Sequence, residues 1–301
     1  MLTTAEIRIR DPFIYPDAPT KTYYMYAAMD HGVGVYTSQD LAHWTPMQRV
    51  LTLPTEPALH AVWAPEIHAY QGKYYLFATL TYQEKLPIGK PLNRDNWPEM
   101  HVRGTHVFRA DSPLGPFMPV KTGSHTPADW MALDGTLFVD EGTPHLVFCH
   151  EWVQVVDGTM DYVPLTADLG DVAGKPQLMF RASIAPGVKP EPNQNKVTDG
   201  CFLYRSEISG KLYMIWSTFI PGHGYSVVLA HSESGRIAGP WRKHELIYTK
   251  DGGHGMLFRA FDGRLLMSLH QPNSGGKERL HLFEVTDTGE TLKVVGEVVP
   301  E

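Results

Sequence analysis

The chain has 301 residues, of which 43% are hydrophobic and 11% aromatic, so it is long and apolar enough to bury a full core. Its formal net charge of −7 argues against nucleic acid or an anionic membrane surface as a partner. No apolar run approaches the roughly 20 residues of a membrane-spanning helix. Residues 1–9 contain no apolar signal core, so we expect a cytoplasmic protein, or an extracellular or periplasmic one if a leader has been removed.

Five short apolar segments along the chain each open with an acidic residue or a histidine, at intervals of about 55 to 68 residues. The opening residues are Asp11, Glu66, Asp134, Asp199 and His254. A repeat of this length, with room for four short strands, is typical of a β-propeller, and five repeats predict five blades.

Each opening segment runs through a turn into a second apolar segment and then a third, which is the pattern of consecutive antiparallel strands. The second segments are 23–26, 74–77, 145–148, 212–216 and 265–269. The third segments are 34–37, 105–110, 162–166, 225–231 and 279–285. We therefore predict an all-β protein that forms one five-bladed β-propeller domain over residues 1–301.

A polar residue at the same place in every innermost strand would form a ring around the propeller axis. A ring of carboxylates indicates chemistry, because hydrolysis of a glycosidic bond needs two carboxyl groups, one ionised and one protonated. A third carboxylate nearby would keep the acid protonated by raising its pKa. Aromatic residues near the ring would stack on the sugar, and the candidates are Trp63, Trp130, Trp152, Trp216 and Phe219.

At these residues the chain resembles family 43 of the glycoside hydrolases, and the resemblance runs from Arg10 to Glu284. Its most specific parts are Arg10-Asp11-Pro12, the phrase 63–66, the Asp134 phrase and Gly252-Gly253-His254-Gly255. The resemblance implies a five-bladed propeller that inverts the anomeric centre and removes mainly L-arabinofuranosyl or D-xylosyl units. It implies that Asp11 is the general base, that Asp134 orients the acid and modulates its pKa, and that His254 faces a cation or a water at the axis.

The general acid is less well defined, because the family normally has Glu-Gly in blade four where this chain has Asp199-Gly200. Asp199 is our first choice, since it keeps the position. Glu151 is the main alternative, because it ends the second strand of blade three and should share a face with Asp134. Glu66 and Glu191 are further alternatives, although Glu66 is better suited to binding sugar hydroxyls. Together with Glu66, the predicted substrate-binding residues are Trp63, Trp130, Trp152, Phe219 and Arg259.

The predicted function is an exo-acting, inverting glycosidase that removes terminal sugars from plant-type oligosaccharides or polysaccharides. We expect α-L-arabinofuranosyl units first, then β-D-xylosyl or galactofuranosyl units. Two long proline-containing segments, 83–103 and 180–196, should form walls that narrow a groove into a pocket. The alternative is a non-catalytic carbohydrate-binding propeller with a decayed active site. A fructan-cleaving propeller is disfavoured, because its characteristic motifs are missing from the sequence.

The chemistry needs no cofactor. A structural calcium ion or another cation at the axis is compatible with the carboxylate-rich channel, and His254 is its candidate protein ligand. A zinc site made entirely of histidines is not indicated, because the 15 histidines show no closely spaced pair of the metal-binding kind.

Overall fold

A computed structural model describes residues 1–92, 95–189, 191 and 194–300. Within these residues the chain forms five four-stranded antiparallel sheets, one two-stranded pair and a few single helical turns. In the same part of the chain, no helix reaches the length and apolarity needed to cross a membrane.

The strands follow the chain blade by blade. The first stretch forms β1 (Leu2–Thr3), β2 (Phe13–Asp17), β3 (Thr22–Met29), β4 (Gly32–Ser38), β5 (His43–Trp44) and β6 (Gln48–Thr52). Strands β2, β3, β4 and β6 make blade one, and β1 pairs with β5. Blade two consists of β7 (Leu59–Tyr70), β8 (Lys73–Lys85), β9 (His101–Ala110) and β10 (Met118–Pro119).

Blade three consists of β11 (Ala132–Asp140), β12 (Thr143–His150), β13 (Thr159–Pro164) and β14 (Gln177–Arg181). Blade four consists of β15 (Asp199–Arg205), β16 (Leu212–Ile220), β17 (Gly224–Ser232) and β18 (Trp241–Tyr248). Blade five consists of β19 (Gly253–Arg259), β20 (Leu265–Gln271), β21 (Arg279–Asp287) and β22 (Leu292–Val298). The helical elements are the 3₁₀ turns Thr4–Glu6 and Ala182–Ile184 and the helix α1 (Trp152–Val155).

The first strands of the five blades contact one another in cyclic order, and β19 closes the ring against β2. This confirms the predicted five-bladed propeller with the first strand of each blade innermost. Each predicted segment overlaps its strand, but the bounds differ: β9 begins four residues before its predicted segment, and β13 begins three residues before and ends two residues before the end of its own. Large apolar side chains of the middle strands fill the space between blades and are fully buried; examples are Tyr26, Phe77, Phe148 and Trp216.

The innermost strands share a local distortion near their starts, where two residues oppose one residue of the second strand. These bulges lie at 64–65 in β7, 134–135 in β11, 200–201 in β15 and 254–255 in β19. The first residue of each bulge has a positive φ, and Asp11, two residues before β2, has one too. The equivalent positions are therefore Asp11, Ala64, Asp134, Gly200 and His254, with φ of 51°, 42°, 55°, 51° and 52°.

This register corrects the predicted ring at two of its five members. Glu66 lies two residues after the bulge position of blade two, and Asp199 lies one residue before that of blade four. The remaining three, Asp11, Asp134 and His254, do share one position. The positive φ at these three positions brings the side chains together at the axis, where His254 Nδ1 lies 3.2 Å from Asp11 Oδ1 and 3.6 Å from Asp134 Oδ2.

The segment 83–103 packs on the helix α1. Trp97 and Met100 are buried against Met131 and Val153. The indole Nε1 of Trp97 donates a hydrogen bond to the Val153 carbonyl oxygen at 2.8 Å. In the segment 180–196, Phe180, Ala182 and Ala185 join the core between blades three and four. Residues 93–94, 190 and 192–193, which include Pro190 and Pro192 of the second predicted wall, lie outside the described residues.

Candidate active site

A cavity of about 660 Å³ opens at the end of the axis where the innermost strands begin. Its walls carry most of the predicted site residues together with apolar surface. Those predicted residues are Asp11, Trp63, Asp134, Glu151, Trp152, Asp199 and His254. Carboxyl groups therefore meet aromatic side chains in one concave site, as carbohydrate chemistry requires.

Asp11 is held between two histidines. One of its carboxylate oxygens, Oδ1, lies 3.2 Å from His254 Nδ1 and 3.2 Å from His270 Nδ1. The same nitrogen of His270 also lies 3.2 Å from the backbone nitrogen of Asp11. Burial would raise the pKa of Asp11, but the charges and hydrogen bonds of His254 and His270 outweigh it and hold the pKa well below 3.8. Asp11 is therefore an ionised carboxylate that can accept a proton.

Asp134 is fixed by its backbone and its side chain. Its N–H donates to Thr79 Oγ1 at 2.8 Å, and its Oδ2 accepts the N–H of Gly200 at 2.9 Å. The same oxygen lies 3.6 Å from His254 Nδ1. Asp134 thus stands between the histidine that also contacts Asp11 and the strand that carries Asp199.

Asp199 is the carboxyl group that favours its proton. Burial raises its pKa well above 3.8, and the charge of Asp134 raises it further. Tyr225, which is buried, donates its hydroxyl hydrogen to Asp199 Oδ2 at 2.7 Å. The surroundings of Asp11 lower its pKa and those of Asp199 raise its pKa, although both residues line the same cavity. A general base and a general acid need pKa values that are separated in this way.

His254 neutralises the group of carboxylates. Burial would lower its pKa, but Asp11, Asp134 and Asp199 together raise it well above 6.5, so the ring is an imidazolium. Donor atoms of Asp134, Asp199 and His254 lie within 4.8 Å of one another, a spacing that a cation could bridge. A cation in this place would have to displace the proton that His254 shares with Asp11 and Asp134.

Glu151 lies on another wall of the cavity as the N-cap residue of α1, yet its side chain makes no capping hydrogen bond. It forms an ion pair with Arg103, whose guanidinium carbon lies 4.1 Å from the ring centroid of Trp63. Burial raises the pKa of Glu151, and the positive charge of Arg103 opposes that rise. The two candidate acids thus have different surroundings: a carboxylate neighbour for Asp199 and a guanidinium for Glu151.

Three other predicted residues have different surroundings from the ones we expected. Glu66 is buried below the cavity with its Oε2 3.0 Å from His68 Nε2, because its place two residues past the bulge directs it deeper into the channel. Trp130 stacks on His150 at 4.0 Å between ring centroids. Trp216 is fully buried in the core between blades.

Of the remaining predicted residues, Phe219 lies at the rim of the cavity and Arg259 at the opposite end of the propeller. Phe219 is 51% exposed and lies 5.2 Å from Tyr225, beside the cavity. Arg259 ends β19, at the far end of the strand from His254, and pairs with Glu207. The structure therefore separates Arg259 from the cavity. Glu191 is exposed.

Three residues that contact the site were not predicted from the sequence: Arg103 on β9, Tyr225 on β17 and His270 on β20. None of them opens an innermost strand, which was the signal used to select candidates. Tyr225 lies on the third strand of blade four and His270 on the second strand of blade five, and their rings stack at 5.6 Å between Asp199 and Asp11. Only the hydrogen bonds to Asp199 and Asp11 reveal their position.

The fold and the site define a five-bladed propeller with a carboxylate-lined carbohydrate pocket. A family model described as "Glycosyl hydrolases family 43" matches residues 4–287. The chain belongs to this family and is a glycoside hydrolase.

Solved structures agree with this assignment. The endo-arabinase from Bacteroides thetaiotaomicron is 35% identical, with a TM-score of 0.82, over 96% of this chain and 98% of that chain. A thermostable family-43 glycoside hydrolase is 23% identical, with a TM-score of 0.72, over 97% and 94%. An endo-1,4-beta-xylanase from Bacteroides thetaiotaomicron is 21% identical, with a TM-score of 0.74, over 99% and 97%. No curated protein sequence was found to match the chain.

Proposed function

We propose that the protein is an inverting glycosidase that removes terminal α-L-arabinofuranosyl units from plant-type oligosaccharides or polysaccharides. Terminal β-D-xylosyl and galactofuranosyl units are the next candidates. The observation that carries the proposal is the pair of carboxyl groups on one cavity with opposite proton affinities, Asp11 ionised beside two histidines and Asp199 protonated beside Asp134.

In this mechanism each of the three aspartates has one task. Asp11 removes a proton from the water that attacks the anomeric carbon. Asp199 gives its proton to the leaving oxygen as the glycosidic bond breaks. Asp134 fixes the backbone of Gly200 and, by its charge, favours the protonated form of Asp199. His254 balances the charge of Asp11 and Asp134, so that the protonated acid can persist beside them.

The substrate class is supported by similarity, because the relative that is 35% identical is an endo-arabinase. Removal of terminal units is supported by the packing of segment 83–103 against Trp152, a residue of the cavity wall, with the Trp97 ring 5.3 Å from the Trp152 ring, because a wall held in this way favours a pocket. Cleavage within an arabinan chain is the second candidate, and the name of that relative favours it. The two are separated by their first products from debranched arabinan, which are monomeric arabinose in one case and mixed oligosaccharides in the other.

The experiment that tests the proposal compares two leaving groups. A poor leaving group must be protonated as the bond breaks, whereas a dinitrophenolate need not be. Asp199→Asn should therefore slow cleavage of an arabino-oligosaccharide at least about 100-fold while cleavage of the dinitrophenyl arabinofuranoside falls much less. Proton NMR should show inverted product in the parent enzyme.

Two results would contradict the proposal. An equal loss of activity on both substrates would show that Asp199 is not the general acid. Failure of the parent protein to hydrolyse any member of a panel of nitrophenyl furanosides and pyranosides would favour the non-catalytic, carbohydrate-binding alternative.

We also propose that calcium or another cation can bind at the axis, with Asp134 and His254 among its ligands. The support is the spacing of their donor atoms within 4.8 Å and the carboxylate-rich surroundings. Such an ion would neutralise charge in place of the His254 proton, and none of the proton transfers above depends on it.

A further inference from the structure

Trp63, Arg103 and Glu151 form one assembly on the wall of the cavity, which we call the recognition wall. Arg103 is its centre and is buried, with 8% of its surface exposed. Its Nε donates to Thr81 Oγ1 at 2.8 Å, its guanidinium lies 4.1 Å from the Trp63 ring centroid, and its Nη1 donates to Glu151 Oε2. The arginine is therefore held on three sides, and it fixes the aromatic ring and the carboxylate relative to each other.

The backbone that carries Glu151 is also fixed. The N–H of Glu151 donates to the Met131 carbonyl oxygen at 2.8 Å, and Gln154 Oε1 accepts the N–H of Met131 at 2.6 Å. Trp97 packs edge-on against Trp152 in the same helix. A carboxylate at an N-cap usually accepts a hydrogen bond from its own helix, and Glu151 does not. Its side chain is directed instead to Arg103 and the cavity.

This arrangement suits recognition better than proton donation. Although burial raises the pKa of Glu151, Arg103 occupies Oε2, so that oxygen is turned into the wall and away from a leaving group. The other oxygen, Oε1, is not held by Arg103 and can accept hydrogen bonds, and hydroxyl groups are natural donors to it. The neighbouring Trp63 ring offers a flat apolar surface of the kind that stacks on the C–H face of a sugar.

We propose that the recognition wall binds the free hydroxyl groups of the terminal sugar, with Glu151 as the hydroxyl acceptor and Arg103 as its positioning residue. This inference rests on the proposed glycosidase function and assigns Glu151 to substrate selection, whereas Asp199 keeps the role of acid. A buried acceptor left without its hydroxyl is costly, so the wall would reject a deoxygenated sugar.

The test measures steady-state kinetics of Glu151→Gln and Arg103→Lys on the two substrates described above and on deoxy analogues of the dinitrophenyl glycoside. Glu151→Gln should raise KM at least about 10-fold on both leaving groups alike, with kcat within a few-fold, because it removes binding shared by ground and transition states. The parent should discriminate against one deoxy analogue, and Glu151→Gln should lose most of that discrimination. Arg103→Lys should reproduce the KM effect, and the double variant should be less than additive.

Glu207→Gln is the matched control, because it also removes a carboxylate paired with an arginine, Arg259, but at the far end of β19. It should leave KM unchanged. A loss confined to the oligosaccharide substrate in Glu151→Gln would overturn the inference, since it would make Glu151 the acid. Unchanged KM and unchanged deoxy discrimination would also overturn it.

The same variants separate this inference from the proposed function. If Asp199→Asn shows leaving-group selectivity and Glu151→Gln shows no KM effect, only the recognition wall fails. If the parent protein hydrolyses nothing, the glycosidase proposal fails. Calorimetry with arabino-oligosaccharides then tests independently whether the recognition wall binds sugar. The inference would still be supported if Glu151→Gln bound these sugars at least about 10-fold more weakly than the parent while Glu207→Gln bound them equally well. Equal binding by the parent and both variants would refute it.

Discussion

Gly200 provides a direct test of the idea that the bulges bring the backbone together at the axis. Its φ is +51°, and a Cβ added to it would lie 2.7 Å from His254 Cγ and 2.8 Å from His254 Cα. The second of these atoms belongs to the backbone of a neighbouring innermost strand, so it cannot move aside as the end of a flexible side chain would. Gly200→Ala should therefore push two blades apart at the site.

The expected magnitude has two parts. A non-glycine residue at positive φ costs about 1–2 kcal/mol, and overpacking in a rigid core adds about 1–3 kcal/mol. Gly210→Ala is the matched control, because Gly210 has a φ of +72° and would meet no atom within 4 Å. The control isolates the backbone part, and the difference between the variants isolates the clash.

The assay is thermal unfolding together with kcat/KM. With about 2.1 cal/mol/K of unfolding entropy per residue, 301 residues give about 0.6 kcal/mol/K, so the clash should lower Tm by about 2–5 °C below that of Gly210→Ala. Activity should fall at least about 10-fold in Gly200→Ala only, because His254 and Asp134 both contact this point. Equal Tm and equal activity in the two variants would refute the close approach at the axis.

Three further predictions concern the charged groups of the site. Asp11→Asn should lower kcat at least about 100-fold, and a loss of only a few-fold would exclude Asp11 as the base. Activity should persist below about pH 4, because the pKa of Asp11 is held well below 3.8, and it should fall as the pH rises through the pKa of Asp199, which is raised. Tyr225→Phe removes a donor that stabilises ionised Asp199, so the alkaline limb of the pH profile of kcat/KM should move to higher pH. If that limb does not move, it does not report the ionisation of Asp199. If a cation neutralises the axis, chelator should lower Tm in the parent but not in His254→Ala, and a metal-free, chelator-insensitive parent would exclude the ion.

The fold could be predicted because a propeller repeats the same hairpin pattern, and five copies reinforce one another. Opening residues such as Asp11 and Asp134 stood out for the same reason. The register inside each repeat could not be predicted, because a bulge inserts one residue without changing the apolar pattern around it. Glu66 was therefore placed on the ring although it lies two residues beyond it, where it pairs with His68.

The partners of Asp11, Asp199 and Glu151 could not be predicted from the sequence for a different reason. Tyr225 and His270 come from strands behind the innermost ones, and nothing in the apolar pattern of a strand tells which of its polar side chains reaches the axis. Arg103 ends a long insertion and meets Glu151, which is 48 residues away. Such pairings depend on the three-dimensional packing within and between blades, which local sequence patterns do not reveal.

If Asp199 is the acid, as we propose, its short side chain has a structural consequence for the substrate. Compared with a glutamate, one fewer methylene withdraws the carboxyl group by about 1.5 Å, the length of a carbon–carbon bond. Tyr225 holds the shortened side chain at its Oδ2, so it is not free to swing outward. The leaving oxygen must therefore come deeper toward the axis than a glutamate would require. A wall that grips the terminal sugar by its hydroxyl groups, as we propose for Glu151 and Arg103, would supply the binding energy that draws it there.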